Sequence, residues 1–152
     1  MPLSAAIVVI AMAAAAVDRQ VVESLLETRR PEGFGDAGII ADVTADLNAD
    51  EVIDEIILYS YQIGSSRDGN HWQYLVAFLS SPTGHSPTES LLVGGKGREL
   101  WDKIEVVSDG IRLEGRHWRL DDAMCCPGEI AEMVIELHDG KFIALGGRWR
   151  KQ

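Results

Sequence analysis

Over residues 17–30 the apolar positions Val17, Val21, Val22, Leu25 and Leu26 recur at helical spacing, with Asp18 in the first turn and Arg29 and Arg30 in the last. Pro31 closes the run, so the pattern predicts one amphipathic helix. The PEGFGDAG stretch, residues 31–38, reads as a linker or broad turn. Beyond it the period changes to two. Segments rich in Ile, Val, Leu, Tyr and Trp predict strands over 39–45, 54–63, 72–80, 89–93, 103–108, 111–118, 130–138 and 141–146. The Asp-Gly pairs Asp68-Gly69, Asp109-Gly110 and Asp139-Gly140 fall between apolar runs, where tight hairpin turns belong, so neighbouring strands are expected to run antiparallel. Residues 80–90 (SSPTGHSPTES) read as a loop, and no internal repeat marks a solenoid or propeller. The predicted fold class is α+β: an N-terminal helix followed by a mainly antiparallel β-sheet or a small barrel.

Residues 1–16 (MPLSAAIVVIAMAAAA) carry no charged side chain, and the apolar run from Ala5 to Val17 falls short of the roughly 20 residues that span a bilayer. Its length suits the apolar core of a secretory signal peptide, and Ala14-Ala15-Ala16 supplies a small-x-small cleavage site before Val17. The expectation is export to the periplasm or extracellular space, with no stable membrane insertion and a single α+β domain over 17–152. A positive n-region is missing. The competing reading is a buried Ala-rich helix opening a cytosolic structural domain.

Charge narrows the partners. Lys and Arg number 14 against 24 Asp and Glu, a net of −10, which argues against nucleic acid or an anionic membrane surface. A basic protein partner or a metal ion fits better. With 46% hydrophobic and 25% charged residues the chain has enough apolar material to fold. Between Arg30 and Arg67 stand Glu32, Asp36, Asp42, Asp46, Asp50, Glu51, Asp54 and Glu55, with no Lys or Arg among them. Inside this run Asp46, Asn48, Asp50 and Asp54 put oxygen side chains at positions one, three, five and nine, and Val52 offers a carbonyl at position seven. Such spacing can wrap one hard cation, with calcium the expected guest, bound structurally; the competing reading is an acidic turn left solvated. Position six is Glu51 where a sharp turn favours Gly, and Ile57 stands at position twelve, where a helix-loop-helix sensor has its bidentate Glu. The segment resembles the calcium loops of FG-GAP and VCBS-like extracellular β proteins, D-x-[DN]-x-D-G-x-x-D followed directly by a hydrophobic strand, here Glu55-Ile56-Ile57-Leu58-Tyr59. The resemblance covers this loop alone and implies a structural calcium rather than catalysis.

The two cysteines are adjacent, Cys125-Cys126. Three readings compete: a structural vicinal disulfide, a reactive dithiol, or two small buried residues in a turn. The surrounding Asp122-Ala123-Met124-Cys125-Cys126-Pro127-Gly128 turn is similar to a feature of small exported bacterial proteins. The pairs His71-Trp72 and His117-Trp118 are candidates for lining one groove. His85 lies among serines, but no G-x-S-x-G elbow accompanies it, and Gly94-Gly95-Lys96-Gly97 lacks the context of a phosphate loop. The functional expectation is an exported, non-enzymatic binding module, of inhibitor or immunity type, for a basic envelope hydrolase or toxin. The alternative is a thiol-dependent redox protein using Cys125-Cys126.

Overall fold

The computed structural model describes residues 16–64, 70–123 and 125–150, so the Asp68-Gly69 turn, Met124 and all but the last residue of the expected signal peptide lie outside it. Helix α1 (Arg19–Thr28) starts where the sequence pattern places it, because the Asp18 carboxylate accepts the N–H of Gln20. Val17, just before this cap, and Val22, one turn inside, are both buried, an apolar staple that fixes how the chain enters the helix. Val22 and Leu26 then pack on Ile57, Tyr59, Tyr61, Val76 and Phe78.

Those residues form one face of a sheet. Strands β1 (Phe34–Ala45), β2 (Asp54–Ile63), β3 (His71–Ser81) and β4 (Gly84–Pro87) pair in that order, and β5 (Leu91–Gly95) shares the outer edge of β3 with β4. A second sheet runs β6 (Glu99–Val107), β7 (Gly110–His117), β8 (Glu129–His138) and β9 (Lys141–Arg150). All pairs are antiparallel, as the turn signals predict. Ile56, Leu58, Leu75 and Ala77 of the first sheet meet Trp101, Ile104, Ile111, Leu113 and Ile135 of the second in one core.

The result is an open two-sheet sandwich, mostly β with one short helix, and neither a closed barrel nor a balanced α+β fold. The reason lies in β2. Its burial is continuous from Asp54 to Tyr59 rather than alternating, so both of its faces must be covered, one by α1 and the other by the second sheet. Two local expectations also change. The predicted linker is already strand from Phe34, which pairs with Ile63, and the 80–90 loop contains β4, a short hairpin return along β3. At the β8–β9 turn Asp139 and Gly140 both adopt positive φ, 49° and 73°, the geometry that a two-residue hairpin requires.

The two sheets are joined through Gln73. Its Oε1 accepts the backbone N–H of Trp101 and its Nε2 donates to the Trp101 carbonyl, both at 2.7 Å, while the Trp101 indole N–H donates to the carbonyl of Val93 at 2.7 Å. Gly94 is needed beside this junction, since a Cβ there would lie 2.5 Å from the Glu99 carbonyl oxygen and 2.8 Å from Gln73 Oε1. On the helix side Tyr61 Oη donates to the Leu26 carbonyl, Tyr59 Oη bonds Ser90 Oγ at 2.8 Å, and Arg29 donates to the Thr88 carbonyl at 2.7 Å. Tyr59, Tyr61 and Tyr74 contact one another, and burial pushes all three phenols above their ordinary pKa.

Replacing Gln73→Leu strands a buried N–H and a buried C=O of Trp101 and is expected to lower unfolding free energy by about 2–5 kcal/mol in urea titration. A loss below about 0.5 kcal/mol would show that the junction is not stabilising. The tyrosines make a second prediction. The folded state holds the phenolic protons more tightly than the unfolded chain, so their contribution is intact below about pH 10 and is lost as pH rises through the higher folded values. Tyrosinate absorbance should therefore appear together with loss of β-sheet circular dichroism, not before it.

Candidate functional site

The loop between β1 and β2 gathers three of the expected side chains. Asp46 accepts the N–H of Asp50 at 3.2 Å and of Glu51 at 2.9 Å, Asn48 Oδ1 accepts the same Asp50 N–H at 3.2 Å, and Asp50 accepts the N–H of Val52 at 2.8 Å. Asn48 Nδ2 also donates to Asp50 at 3.1 Å. The backbone turns sharply to do this: Ala49 and Glu51 sit at φ 60° and 67°, so Glu51 takes the left-handed conformation that favours Gly. Asp54 is committed elsewhere. It is 1% exposed, and its two oxygens accept the N–H groups of Leu47 at 3.0 Å and Ser80 at 2.7 Å, tying the loop to β3. The loop thus gathers two carboxylates and one amide oxygen, the donor types a hard cation takes, here accepting N–H groups of the loop itself; the Val52 N–H is one of these donors, and Asp54 holds the stem. Among the described residues no group of three His, Cys, Asp or Glu is gathered for a metal; the gathered loop set includes Asn48.

The same loop walls a groove of about 440 Å³ at this end of the sandwich, completed by Asp109 of the β6–β7 turn and by Glu136 and His138 near the end of β8. Leu47, Val106, Ile111 and Leu137 give it an apolar component. Asp46, Asp109 and Glu136 thus stand beside these apolar side chains in one lining.

At the opposite end lies a second groove of about 530 Å³, lined by Ser60, Gln62, His71, Asp102 and Arg116 from the two sheets and by Pro127. His71 reaches this groove. His117 does not line it, and its Nδ1 instead stands 3.4 Å from Glu99, so the two His-Trp pairs do not form one site. Beside Pro127, Cys125 and Cys126 are bonded to each other and exposed, which replaces the buried-thiol reading with a surface disulfide. Asp122 holds the loop that carries it. Its Oδ2 accepts the N–H of Arg119 at 2.8 Å and of Gly128 at 2.7 Å, and these amides keep its carboxyl below the usual range. The Trp118 indole N–H and the Cys126 N–H both donate to the Ala123 carbonyl, at 3.2 and 2.9 Å.

No family model, curated protein or solved structure matches this chain. Among the described residues no helix is long and apolar enough to cross a membrane. Sequence reading singled out the loop but missed Asp109, Glu136 and His138, because only the strand pairing brings the two turns of the second sheet beside Asp46.

Asp122→Ala removes the acceptor that joins residues 119 and 128. It is expected to speed reduction of the Cys125-Cys126 bond by dithiothreitol while leaving the melting temperature nearly unchanged; an unchanged reduction rate would show that the loop clamp does not protect the bond.

Proposed function

We propose that this chain is an exported, non-enzymatic binding module that uses its acidic end against a basic protein, with calcium ordering the β1–β2 loop. The observation that carries the reading is the meeting of Asp46, Asn48 and Asp50 in one loop whose stem also walls the groove containing Asp109 and Glu136. A net charge of −10 adds long-range attraction for a basic envelope hydrolase or toxin, and an inhibitor or immunity role follows from covering such a partner. Calcium would reduce repulsion between the loop carboxylates and stiffen one rim of the groove.

A second reading rests on the exposed Cys125-Cys126 bond. A thiolate of a partner protein would attack one sulfur, forming a mixed disulfide and releasing the other cysteine as a thiolate; a second thiolate of the same partner would then displace the remaining cysteine, leaving the partner with a disulfide and Cys125 and Cys126 both reduced. Cys125→Ser abolishes that chemistry and leaves the acidic groove untouched, which separates the two readings.

Thermal melting with excess calcium and then with chelator is the direct test. Calcium is expected to raise the melting temperature of the wild-type chain and to leave Asp46→Ala unshifted. Titration with a purified basic cell-wall hydrolase should show binding that weakens with salt and with the pair Asp109→Asn and Glu136→Gln. Binding that ignores both the substitutions and the salt would overturn the acidic-groove reading.

A further inference from the structure

Glu55 carries its carboxylate into the layer between helix and sheet, where it is only 3% exposed. Its closest donor is a backbone amide: the N–H of Val17 reaches Glu55 Oε2 at 2.9 Å. The Arg19 guanidinium stands 4.0 Å from Glu55 Oε1 but 2.8 Å from Asp42, so it serves the surface acid first. The adjoining Asp54 is buried as well and satisfied by neutral amides. Glu55 thus has one neutral amide as its close donor and only a distant guanidinium, so a nearer cationic donor would offset more of the cost of burying its charge.

The surroundings of Val17 point to what compensates it. Ala16, Val17, Asp54, Glu55, Ser80 and His85 line a small cleft with free space of about 10 Å³, no more than one water-sized group needs. Ser80 is 6% exposed, and its Oγ is buried with no hydrogen-bond partner among the described residues. Ala16 is exposed whereas Val17 is 7% exposed and stapled beneath the helix, so the passage from outside to inside falls at the Ala16–Val17 bond. That is the bond after the small-x-small pattern.

We propose that Glu55 is the receptor for a free α-ammonium on Val17, created when an endopeptidase cuts after Ala16. Water adds across the peptide bond: the hydroxyl completes the Ala16 carboxylate, the hydrogen goes to the Val17 nitrogen, and at neutral pH that amine takes a further proton. The new cation needs no more room than the amide it replaces. It supplies a charge-assisted donor to Glu55 and further N–H donors in the cleft that Ser80 lines. Because the bond's nitrogen is engaged in the folded state, cutting precedes folding, and removal of the leader gives Glu55 a cationic partner. Only the natural origin of the cut rests on the export reading.

The test uses the full chain with a protease recognition sequence placed immediately before Val17, cut in mild denaturant and refolded beside its uncut control. The cut chain is expected to have an unfolding equilibrium constant about tenfold to a hundredfold smaller in urea titration, and Glu55→Gln should erase the difference. Should Glu55→Gln fail to fold, acetylation of the Val17 amine before refolding provides the same comparison in the wild-type chain. The native α-amine should also resist acylation until the protein unfolds. Equal stability of cut and uncut chains, or an amine acylated as fast in the native state as in the unfolded one, overturns the docking. Sequencing the product of the natural chain in an exporting bacterium should read Val17 first. A product that keeps Met1 overturns the export reading and the natural cut, whereas a Val17 start with a freely acylated amine overturns the docking alone.

Discussion

The carboxamide of Gln73 spends its acceptor and one of its donors on a single residue in the opposite sheet, and the sandwich depends on that exchange. Trp101 is the third residue of β6, soon after the chain leaves the first sheet through Gly94 and Gly95, and its backbone N–H and C=O are both bonded by the Gln73 side chain. A register break falls at this point, between Trp101 and Lys103. Without a side chain reaching across, two polar backbone groups would be buried unpaired. Gln73 satisfies both and fixes how the sheets are aligned, which in turn decides which turns meet at each end. The acidic groove at one end and the polar groove beside the cysteine turn at the other are both products of that alignment.

β2 is the element around which the layers are arranged. Ile56 and Leu58 enter the inter-sheet core while Ile57, Tyr59 and Tyr61 enter the helix-facing one, so the strand couples both. Its first two residues are acids, Asp54 and Glu55, each buried and each bonded to a segment distant in sequence, Asp54 to Ser80 and Glu55 to Val17. The acidic loop is consequently attached to the core at its foot, and a change of order in the loop has a direct mechanical route into β2.

Much of this was legible in the chain. The helix was written in its apolar spacing and its Asp18 cap, and β2, β3, β7 and β8 in their apolar runs and turn residues, to within about two residues at the ends. The missed opening of β1 has a plain cause: Gly35 and Gly38 look like turn residues, yet here they lie in a paired strand opposite β2. The barrel expectation erred because periodicity reports which face of a strand is buried and not which strands pair at the edges. At the site, the convergence of Asp46, Asn48 and Asp50 followed from alternation in a tight loop, whereas the diversion of Asp54 to Ser80 depended on a strand partner many residues later. The buried role of Glu55 was hidden for the same reason, since in sequence it is one of eight acids between Arg30 and Arg67.

Thr88 stands where β4 has ended and β5 has not begun, and it bridges the gap on β3 by donating its N–H to the Ala77 carbonyl at 2.8 Å while its hydroxyl accepts the Ala77 N–H at 3.1 Å. The outer border of the first sheet is thereby divided into two segments of four and five residues instead of one long strand. A stray extended chain seeking to add itself by main-chain hydrogen bonds meets a short, interrupted template there, and short edge strands are one of the ways proteins resist edge-to-edge aggregation. An apolar β-rich chain thus carries its own protection against polymerising through that border.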